Sequence, residues 1–524
     1  MKTKTLEQLK SILRSNWLFV FLTFLYCLVQ YFFLQNNTVP MQWDDAWFYE
    51  NSIKLFDNIS RIGFMQGIFE YVKIGQTKPP LINMLMTVFF FLFGRNMNSI
   101  IPYFLFLILF NNILLLALFQ RYKNLSLPIK ILAFSLLNLS PISVGLSRIF
   151  MADYLMGIMI FFILIEFTGQ KRSFILGVLL ALGLLAKTQF IIYIISIYVY
   201  ILFSTFKKPK NIFMLIFPSL ILFFPWVIYN LKIFIDFTYN ISFGGASKNY
   251  SLGGIFDLNT FKVYWLQIIN YVIGAINLAG IILFIFLARK QKNKVHLNKD
   301  LFIVLISLFL FTLILSFNVN KAFRFAYPLI VYTAFLAIYV FKNLRNTLSL
   351  TILSIVILVL SSFSLLNTSF PKFSITREFK SILFFSPNLG TNYPFRRGNW
   401  KQKEILEEIK IVSRNKKSSI IFLGDYQYFN LNNFSLYSTF NNFPFNIGTI
   451  AYFSKNLNNE EVFDLIKNND FFIYKHGGNS YEDPGFNYRN KEIYDLLKNI
   501  SSTVDTFSLP DGGVAIVLKK TTYN

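Results

Sequence analysis

Acidic and basic side chains gather in short segments at the ends of apolar stretches, where they could catalyse a reaction at a membrane surface. Asp44 and Asp45 stand side by side among aromatic residues, a few positions after the first apolar stretch. A carboxylate in partly apolar surroundings can act as a general base, because those surroundings tune its pKa. The simpler interpretation is an aspartate that caps a juxtamembrane helix. The two are compatible, since one aspartate can cap while the other faces a cleft.

Lys78 is the first basic candidate. It precedes Pro79-Pro80, and these prolines are expected to set the backbone direction and to start the short apolar helix that follows. The lysine then lies at the depth of the lipid headgroups. There it either binds a phosphate or reaches to the interface as an anchor for the helix. Lys187, near another predicted helix end, is a weaker candidate of the same kind.

Two further pairs of charges lie between apolar stretches. Arg148 and Asp153 are five residues apart at a predicted membrane boundary, where such charges often mark a site. They either form a local ion pair that ties two helix ends together, or Asp153 orients Lys78 or Arg148. Lys321 and Arg324 are three residues apart and hence on one face of a helix. They indicate either an anion held between two cations or the ordinary flanking charge of a span.

The composition indicates that these charges lie beside a bilayer. Of 524 residues, 54% are hydrophobic and 15% are charged, which excludes a disordered, fibrous or ordinary cytosolic protein. We attribute the formal net charge of +24 to basic loops kept on one side of a membrane, not to nucleic-acid binding. Cys27 is the single cysteine, and His296 and His476 are far apart in sequence. We therefore expect no disulfide framework within the chain, no metal site and no cofactor, with a divalent cation left open.

About eleven apolar stretches are predicted as transmembrane helices, for which about 20 predominantly apolar residues are typical. With the amino terminus inside, every strong cluster of lysine and arginine falls in a cytoplasmic loop and the carboxyl terminus lies outside. Leu81–Phe93 is too short to span and is predicted to be an interfacial or re-entrant helix. The predicted spans are 17–34, 100–119, 131–147, 154–168, 174–187, 190–206, 212–229, 262–288, 301–317, 325–341 and 348–366.

The chain is predicted to divide into two domains. Residues 1–366 form a transmembrane domain with an outer loop at 35–99, and residues 367–524 form a small α/β domain outside the membrane. The second domain is predicted because short apolar runs alternate with amphipathic helical patterns. The apolar runs are 419–423, 471–474 and 514–518, and the helical patterns lie near 401–413, 459–468 and 490–500.

The order of these motifs resembles that of the GT-C glycosyltransferases. The resemblance is carried by an Asp-Asp pair after the first span, Lys-Pro-Pro-Leu before a short helix, an Arg and an Asp five apart, and Lys-x-x-Arg-Phe-x-x-Pro late in the membrane domain. The chain is similar to the branch of protein O-mannosyltransferases and bacterial lipid A aminoarabinose transferases. The resemblance implies a GT-C fold of about eleven transmembrane helices with juxtamembrane helices and an extracytoplasmic α/β domain. It also implies location in the bacterial inner (plasma) membrane, with the active site extracytoplasmic.

Roles for the acidic residues follow from the same resemblance. Asp44 matches the proposed base that deprotonates the acceptor, and Asp45 stands where the family usually has glutamate. Trp47 occupies a position where the aminoarabinose transferases have arginine, which weakens that particular specificity. Both aspartates are therefore our catalytic candidates.

Roles for the donor-binding residues also follow from it. Lys78 matches the lysine thought to hold the lipid phosphate, Asp153 matches its acidic neighbour, and Arg324 matches a late arginine near the phosphate. Arg148 and Lys321 complete the predicted donor-binding set.

The implied reaction is a single displacement at the anomeric carbon, which inverts its configuration. The donor would be a polyprenyl-phosphate sugar and the acceptor a lipid, a glycan or a protein. The alternative is a transporter or flippase of a lipid-linked or anionic substrate. It predicts charged or Gly/Pro-broken helices at corresponding places of two halves. A non-catalytic receptor, with a ligand bound by the outer tail, is a third possibility.

Overall fold

The computed structural model of the protein describes residues 15–122, 124–242, 257–291, 298–318, 320–451, 458–479 and 489–521. The chain forms two compact units. The helical unit comprises Met1–Gln35 and Ile68–Phe395, and the sheet unit comprises Asn36–Gly67 and Arg396–Asn524. This division differs from the predicted boundary after residue 366 in two ways. Residues 367–395 belong to the helical unit, and part of the predicted outer loop folds with the carboxyl-terminal sheet.

The helical unit consists mainly of apolar α-helices. Its helices are Trp17–Asn36, Leu81–Phe93, Ile100–Arg121, Leu127–Leu139, Pro141–Leu146, Ala152–Phe167, Ser173–Ala186, Phe190–Thr205, Pro209–Leu222, Phe224–Ser242, Leu258–Gln267, Ala275–Lys290, Lys299–Phe317, Tyr327–Phe341 and Leu348–Asn367. A hairpin of β1 (Arg377–Phe379) and β2 (Ile382–Phe385) follows the last helix. The side chain of Asn270 fixes this hairpin, since its amide donates to the carbonyl of Ser381 and its oxygen accepts from the backbone of Leu383.

Every predicted span contains a helix, but the helices differ in length. Among the described residues, five helices are long and apolar enough to cross a membrane, or seven if each of two bent pairs is one span. The other predicted spans are shorter, such as Ser173–Ala186 with 14 residues. At about 1.5 Å per residue such a helix is shorter than the roughly 30 Å hydrocarbon core. The predicted total of about eleven spans therefore stays a prediction.

Prolines and one glycine account for the breaks in these helices. The pair Pro209–Leu222 and Phe224–Asn240 is bent by 58°. Pro225 lies just after the break, and a proline ring clashes with the carbonyl group four residues earlier. The pair Leu258–Ile273 and Ala275–Lys290 is bent by 88° at Gly274, whose φ of 83° is open mainly to glycine.

The sheet unit has a five-stranded mixed sheet with helices on both faces. The strand order is β4-β3-β5-β7-β6, in which β3 is parallel to β4 and β5, and β7 is antiparallel to β5 and β6. The strands are β3 Ser418–Leu423, β4 Phe445–Thr449, β5 Phe471–His476, β6 Ser501–Ser508 and β7 Val514–Lys520. The helices are Trp43–Ile62, Gln402–Val412, Leu431–Phe440, Asn459–Lys467 and Asn490–Lys498.

The predicted α/β character of the tail is confirmed, and the three apolar runs are β3, β5 and β7. Alternate residues of β3 point to two separate cores: Ile420 and Phe422 face one, and Ile421 and Leu423 face the other. The prediction lacked β4, β6 and the helix Leu431–Phe440. Both missed strands lie at the edges of the sheet, where polar residues are tolerated and the apolar signal is weak.

The helix Trp43–Ile62 is the part of the predicted outer loop that belongs to the sheet unit. The indole nitrogen of Trp43 donates to Asp425 Oδ1 at 3.0 Å, just after β3. Glu50 is 4% exposed and accepts hydrogen bonds from Ser435 Oγ at 2.7 Å and Thr439 Oγ1 at 3.0 Å. Because these contacts join positions almost 400 residues apart, no local pattern could have predicted them.

Candidate active site

A tight turn positions Lys78 at the start of the short apolar helix. Gly75 has φ of 67°, and its carbonyl accepts a hydrogen bond from the backbone N–H of Lys78 at 2.6 Å. Pro80 is the N-cap and Leu81 begins the helix, which ends at Phe93. The sequence therefore predicted both the bounds of this helix and the reason for its start.

Asp153 and Lys187 form the central ion pair of the helical unit. The Nζ atom of Lys187 donates to Asp153 Oδ1 at 2.5 Å. Asp153 lies in the first turn of Ala152–Phe167, where the helix dipole favours a carboxylate, and Lys187 is the C-cap of Ser173–Ala186, where it favours a cation. The ammonium also lies 4.3 Å from the centre of the Phe325 ring. Two helix ends thus supply opposite charges to one place.

Two further predicted cations, Lys78 and Arg324, lie near Lys187. Both are close enough to Lys187 for their charges to affect it. The guanidinium of Arg324 also donates toward the sulfur atom of Met151, two residues before Asp153. The helical unit therefore gathers three cations near one another, one of them paired with Asp153. Such a cluster can bind an anion with two or more oxygen atoms, such as a phosphate.

Arg148 is not part of this cluster. Its Nε donates to Gln30 at 2.7 Å, and Nη1 donates to the carbonyl of Thr368 at 2.9 Å and to Asn392 at 2.8 Å. Nη2 donates to the hydroxyl of Ser369, and the guanidinium lies 3.9 Å from the centre of the Phe33 ring. The contacts tie three distant parts of the helical unit together. Arg148 therefore has a structural role, and the predicted local ion pair with Asp153 is wrong, because Asp153 pairs with Lys187.

Lys321 also differs from its prediction. Its ammonium donates to the carbonyl groups of Leu315 and Ser316 at the end of the helix Lys299–Phe317 and lies 5.0 Å from the centre of the Tyr264 ring. Burial lowers the pKa of this lysine. The 3₁₀ turn that carries Arg324 begins at Phe323, so Lys321 precedes it and the two cations do not share one helical face.

The two aspartates belong to the sheet unit. Both lie in the first turn of Trp43–Ile62, whose N-cap is Gln42, so the prediction that one of them caps the helix is wrong. Acidic residues in a first turn still stabilise a helix through its dipole. Asp45 is 5% exposed, whereas Asp44 is half-buried. Of the two carboxylates, Asp44 is the more accessible to a substrate.

Lys187 is the residue whose importance the sequence understated. The available signal was a lysine at the predicted outer end of a span, where the positive-inside rule disfavours one. A metal ion has no evident ligand set: within the part of the chain that the structure describes, no three His, Cys, Asp or Glu side chains converge. His476 ends β5, and His296 lies outside the described residues.

Comparisons with known proteins show which families and folds the chain is similar to. A family model described as dolichyl-phosphate-mannose-protein mannosyltransferase matches residues 77–229, a segment that includes Lys78, Asp153 and Lys187. The fold is that of the GT-C superfamily, so the predicted resemblance and the predicted fold class are confirmed. No curated protein matches the sequence.

Two solved structures carry the likeness in fold. The structure of ArnT from Cupriavidus metallidurans bound to undecaprenyl phosphate superposes with a TM-score of 0.56 at 11% identity, covering 97% of this chain and 98% of that one. The apo structure of the same ArnT superposes with a TM-score of 0.50 at 11% identity, covering 96% and 98%. The likeness extends over both units of the chain.

Proposed function

We propose that the protein is an inverting glycosyltransferase of the membrane, which moves a sugar from a polyprenyl-phosphate donor to an acceptor on the outer face. The observation that carries the proposal is the proximity of Lys78 and Arg324 to Lys187, which is itself paired with Asp153. The matched mannosyltransferase family and the undecaprenyl phosphate bound to the similar ArnT structure support a donor of this kind.

The charge change during the reaction explains why cations are needed. A polyprenyl-phosphate sugar is a phosphodiester with one negative charge. When the bond between the anomeric carbon and the phosphate oxygen breaks, polyprenyl phosphate leaves as a monoester with a second charge. Lys78, Lys187 and Arg324 would stabilise that developing charge, and they would do so more strongly away from bulk water.

Asp153 has a different part in the proposal. As the partner of Lys187, it holds the ammonium in place without using all of its hydrogens, since an ammonium has three. It also offsets part of the repulsion among the three cations before a donor binds. Asp153 is therefore a positioning residue for the phosphate site.

Asp44 is the proposed base. It would take the proton from an acceptor hydroxyl or amine as the acceptor atom attacks the anomeric carbon, opposite to the leaving phosphate. One such displacement inverts the configuration. Asp45 is the second candidate, and its low exposure argues against it.

The test is sugar transfer by the purified full chain with synthetic polyprenyl-phosphate sugars and a panel of hydroxyl and amine acceptors. Both transferred sugar and released polyprenyl phosphate are measured. Arg324→Ala is expected to lower the turnover number by about 100-fold, the usual effect of removing one donor to a developing oxyanion. Arg377→Ala, an exposed arginine of β1, is the matched control and should leave turnover unchanged.

Two results would contradict the proposal. One is equal turnover by the wild type and Arg324→Ala. The other is tight binding of the donor with no release of polyprenyl phosphate across the whole acceptor panel, which would favour a carrier.

The positions of the bent helices argue against a repeat-based transporter. The two bent helix pairs are consecutive in the chain, whereas repeat-based transporters place such breaks at corresponding positions of two halves.

A further inference from the structure

A groove of about 420 Å³ opens between two helices of the helical unit, and a third helix, Leu127–Leu139, contributes one leucine to its lining. None of its lining residues belongs to the cation cluster. Ile281, Ile285 and Ala288 line one wall, on Ala275–Lys290, and Ala337 and Phe341 line the other, on Tyr327–Phe341. Ile281, Ile285 and Ala288 are four and three residues apart, so their side chains lie on one face of the helix. This volume falls within the usual range of small-molecule sites.

Eight of the ten residues that line the groove are apolar. Its uncharged polar residue is Thr333, whose hydroxyl donates to the carbonyl of Leu329 in its own helix at 2.6 Å. Arg289 is the charged residue in the lining, at the last turn of its helix, and it is exposed. Lys290 follows it. The groove thus has apolar walls along its two helices and a cationic residue at one end.

A pair of hydrogen bonds fixes the two helices just beyond the cationic end. The side-chain amide of Gln291 donates to the carbonyl of Arg345 at 3.2 Å, and its oxygen accepts from the backbone N–H of Arg345 at 3.2 Å. Both helices end there in basic residues, Arg289 and Lys290 on one and Lys342 after the other. Clusters of this kind mark the cytoplasmic side of a membrane protein.

We propose that this groove binds one anionic phospholipid of the cytoplasmic leaflet, with an acyl chain along the apolar walls and the phosphate at Arg289. An acyl chain gains little free energy in the groove, because the bilayer it leaves is equally apolar. Occupancy must therefore depend on the headgroup, and basic pockets between transmembrane helices on the cytoplasmic side bind anionic headgroups. The site is separate from the proposed transfer reaction and does not depend on it.

The experiment is native mass spectrometry of the full chain in mild detergent, titrated with phosphatidylglycerol or with phosphatidylcholine of the same acyl chains. The wild type should bind its first phosphatidylglycerol at least about fivefold more tightly than phosphatidylcholine, as expected for one basic residue at the surface. Arg289→Ala should abolish that preference, and Arg289→Lys should restore most of it. Ile285→Trp should fill the groove and remove the first bound lipid, since Ile285 is 40% exposed and a larger ring has room to enter.

Controls separate this site from bulk attraction to anionic lipid. Lys210→Ala, an exposed lysine at the start of the helix Pro209–Leu222, should bind phosphatidylglycerol as the wild type does. Glycerol phosphate should form no stable complex, because it has no acyl chain. Thermal unfolding without lipid should be the same for all variants. The proposal is overturned if Arg289→Ala and Ile285→Trp keep the wild-type preference, or if glycerol phosphate binds as well as the lipid.

Discussion

Asp153 and Lys187 meet at 2.5 Å across 34 residues of chain, and the pair joins the first turn of one helix to the end of the next. Their side chains are 4% and 17% exposed, so the charges are largely shielded from water. A charge in such surroundings needs a partner. The pair therefore has two effects: each charge neutralises the other within the helical unit, and Asp153 holds one of three cations at the proposed phosphate site.

Lys187→Ala should destabilise the helical unit by about 3 kcal/mol, because it leaves the Asp153 carboxylate buried without its cation. The measurement is reversible unfolding in mixed micelles. Adding Asp153→Asn to the first variant should recover a large part of the loss. If the double variant is no more stable than Lys187→Ala, the ion pair does not account for the effect.

Arg148→Lys should destabilise the protein by about 2 kcal/mol or more, since an ammonium cannot reach four acceptors that the planar guanidinium bonds at once. Unfolding and the binding of polyprenyl phosphate are measured on the same samples. Binding by the folded fraction should be unchanged. Arg345→Lys, an exposed arginine, is the control. Selective loss of binding with full stability would instead support the predicted contact of Arg148 with the donor.

Asp44→Asn should lower the turnover number by about 100-fold or more, the usual contribution of a general base, while polyprenyl phosphate still binds. Asp45→Asn should retain turnover within about tenfold of the wild type, because Asp45 is buried and not accessible. Sugar transfer and lipid binding are measured for both variants. The reverse order of effects would move the base to Asp45.

Removing residues 396–524 should abolish sugar transfer even if these residues perform no chemistry. The truncation takes away Asp425, Ser435 and Thr439, which hold the helix Trp43–Ile62 in the sheet unit. Limited proteolysis should then cut within that helix. Truncation with full activity would show that the helix folds without the sheet.

Trp43→Phe tests the same interaction without truncation. It removes the indole donor to Asp425, and a hydrogen bond to a charged group contributes about 1.5–3 kcal/mol. The expected result is faster proteolysis of the helix Trp43–Ile62 with the rest of the chain intact. Trp17→Phe, an exposed tryptophan of the first helix, is the matched control.

Local patterns determined much of this protein. The apolar length and the prolines before it were sufficient to predict the helix Leu81–Phe93, and continuous apolar runs were sufficient for β3, β5 and β7. The ordered motifs indicated the GT-C fold only through their resemblance to a known family. The helix and the three strands depend on neighbours in sequence, because hydrophobic length and backbone stereochemistry act over such short distances.

Only the tertiary structure decided which charges meet. From the sequence, Asp153 was predicted to orient Lys78 or Arg148. In the structure Asp153 forms an ion pair with Lys187. Arg148 instead donates hydrogen bonds to Gln30, Thr368, Ser369 and Asn392. The fold also assigns the helix of Asp44 to the sheet unit. A buried charge requires a partner, and a charged residue beside an apolar stretch can be recognised from the sequence. Which partner comes within hydrogen-bonding distance depends on how helices far apart in the chain pack, and no local pattern contains that information.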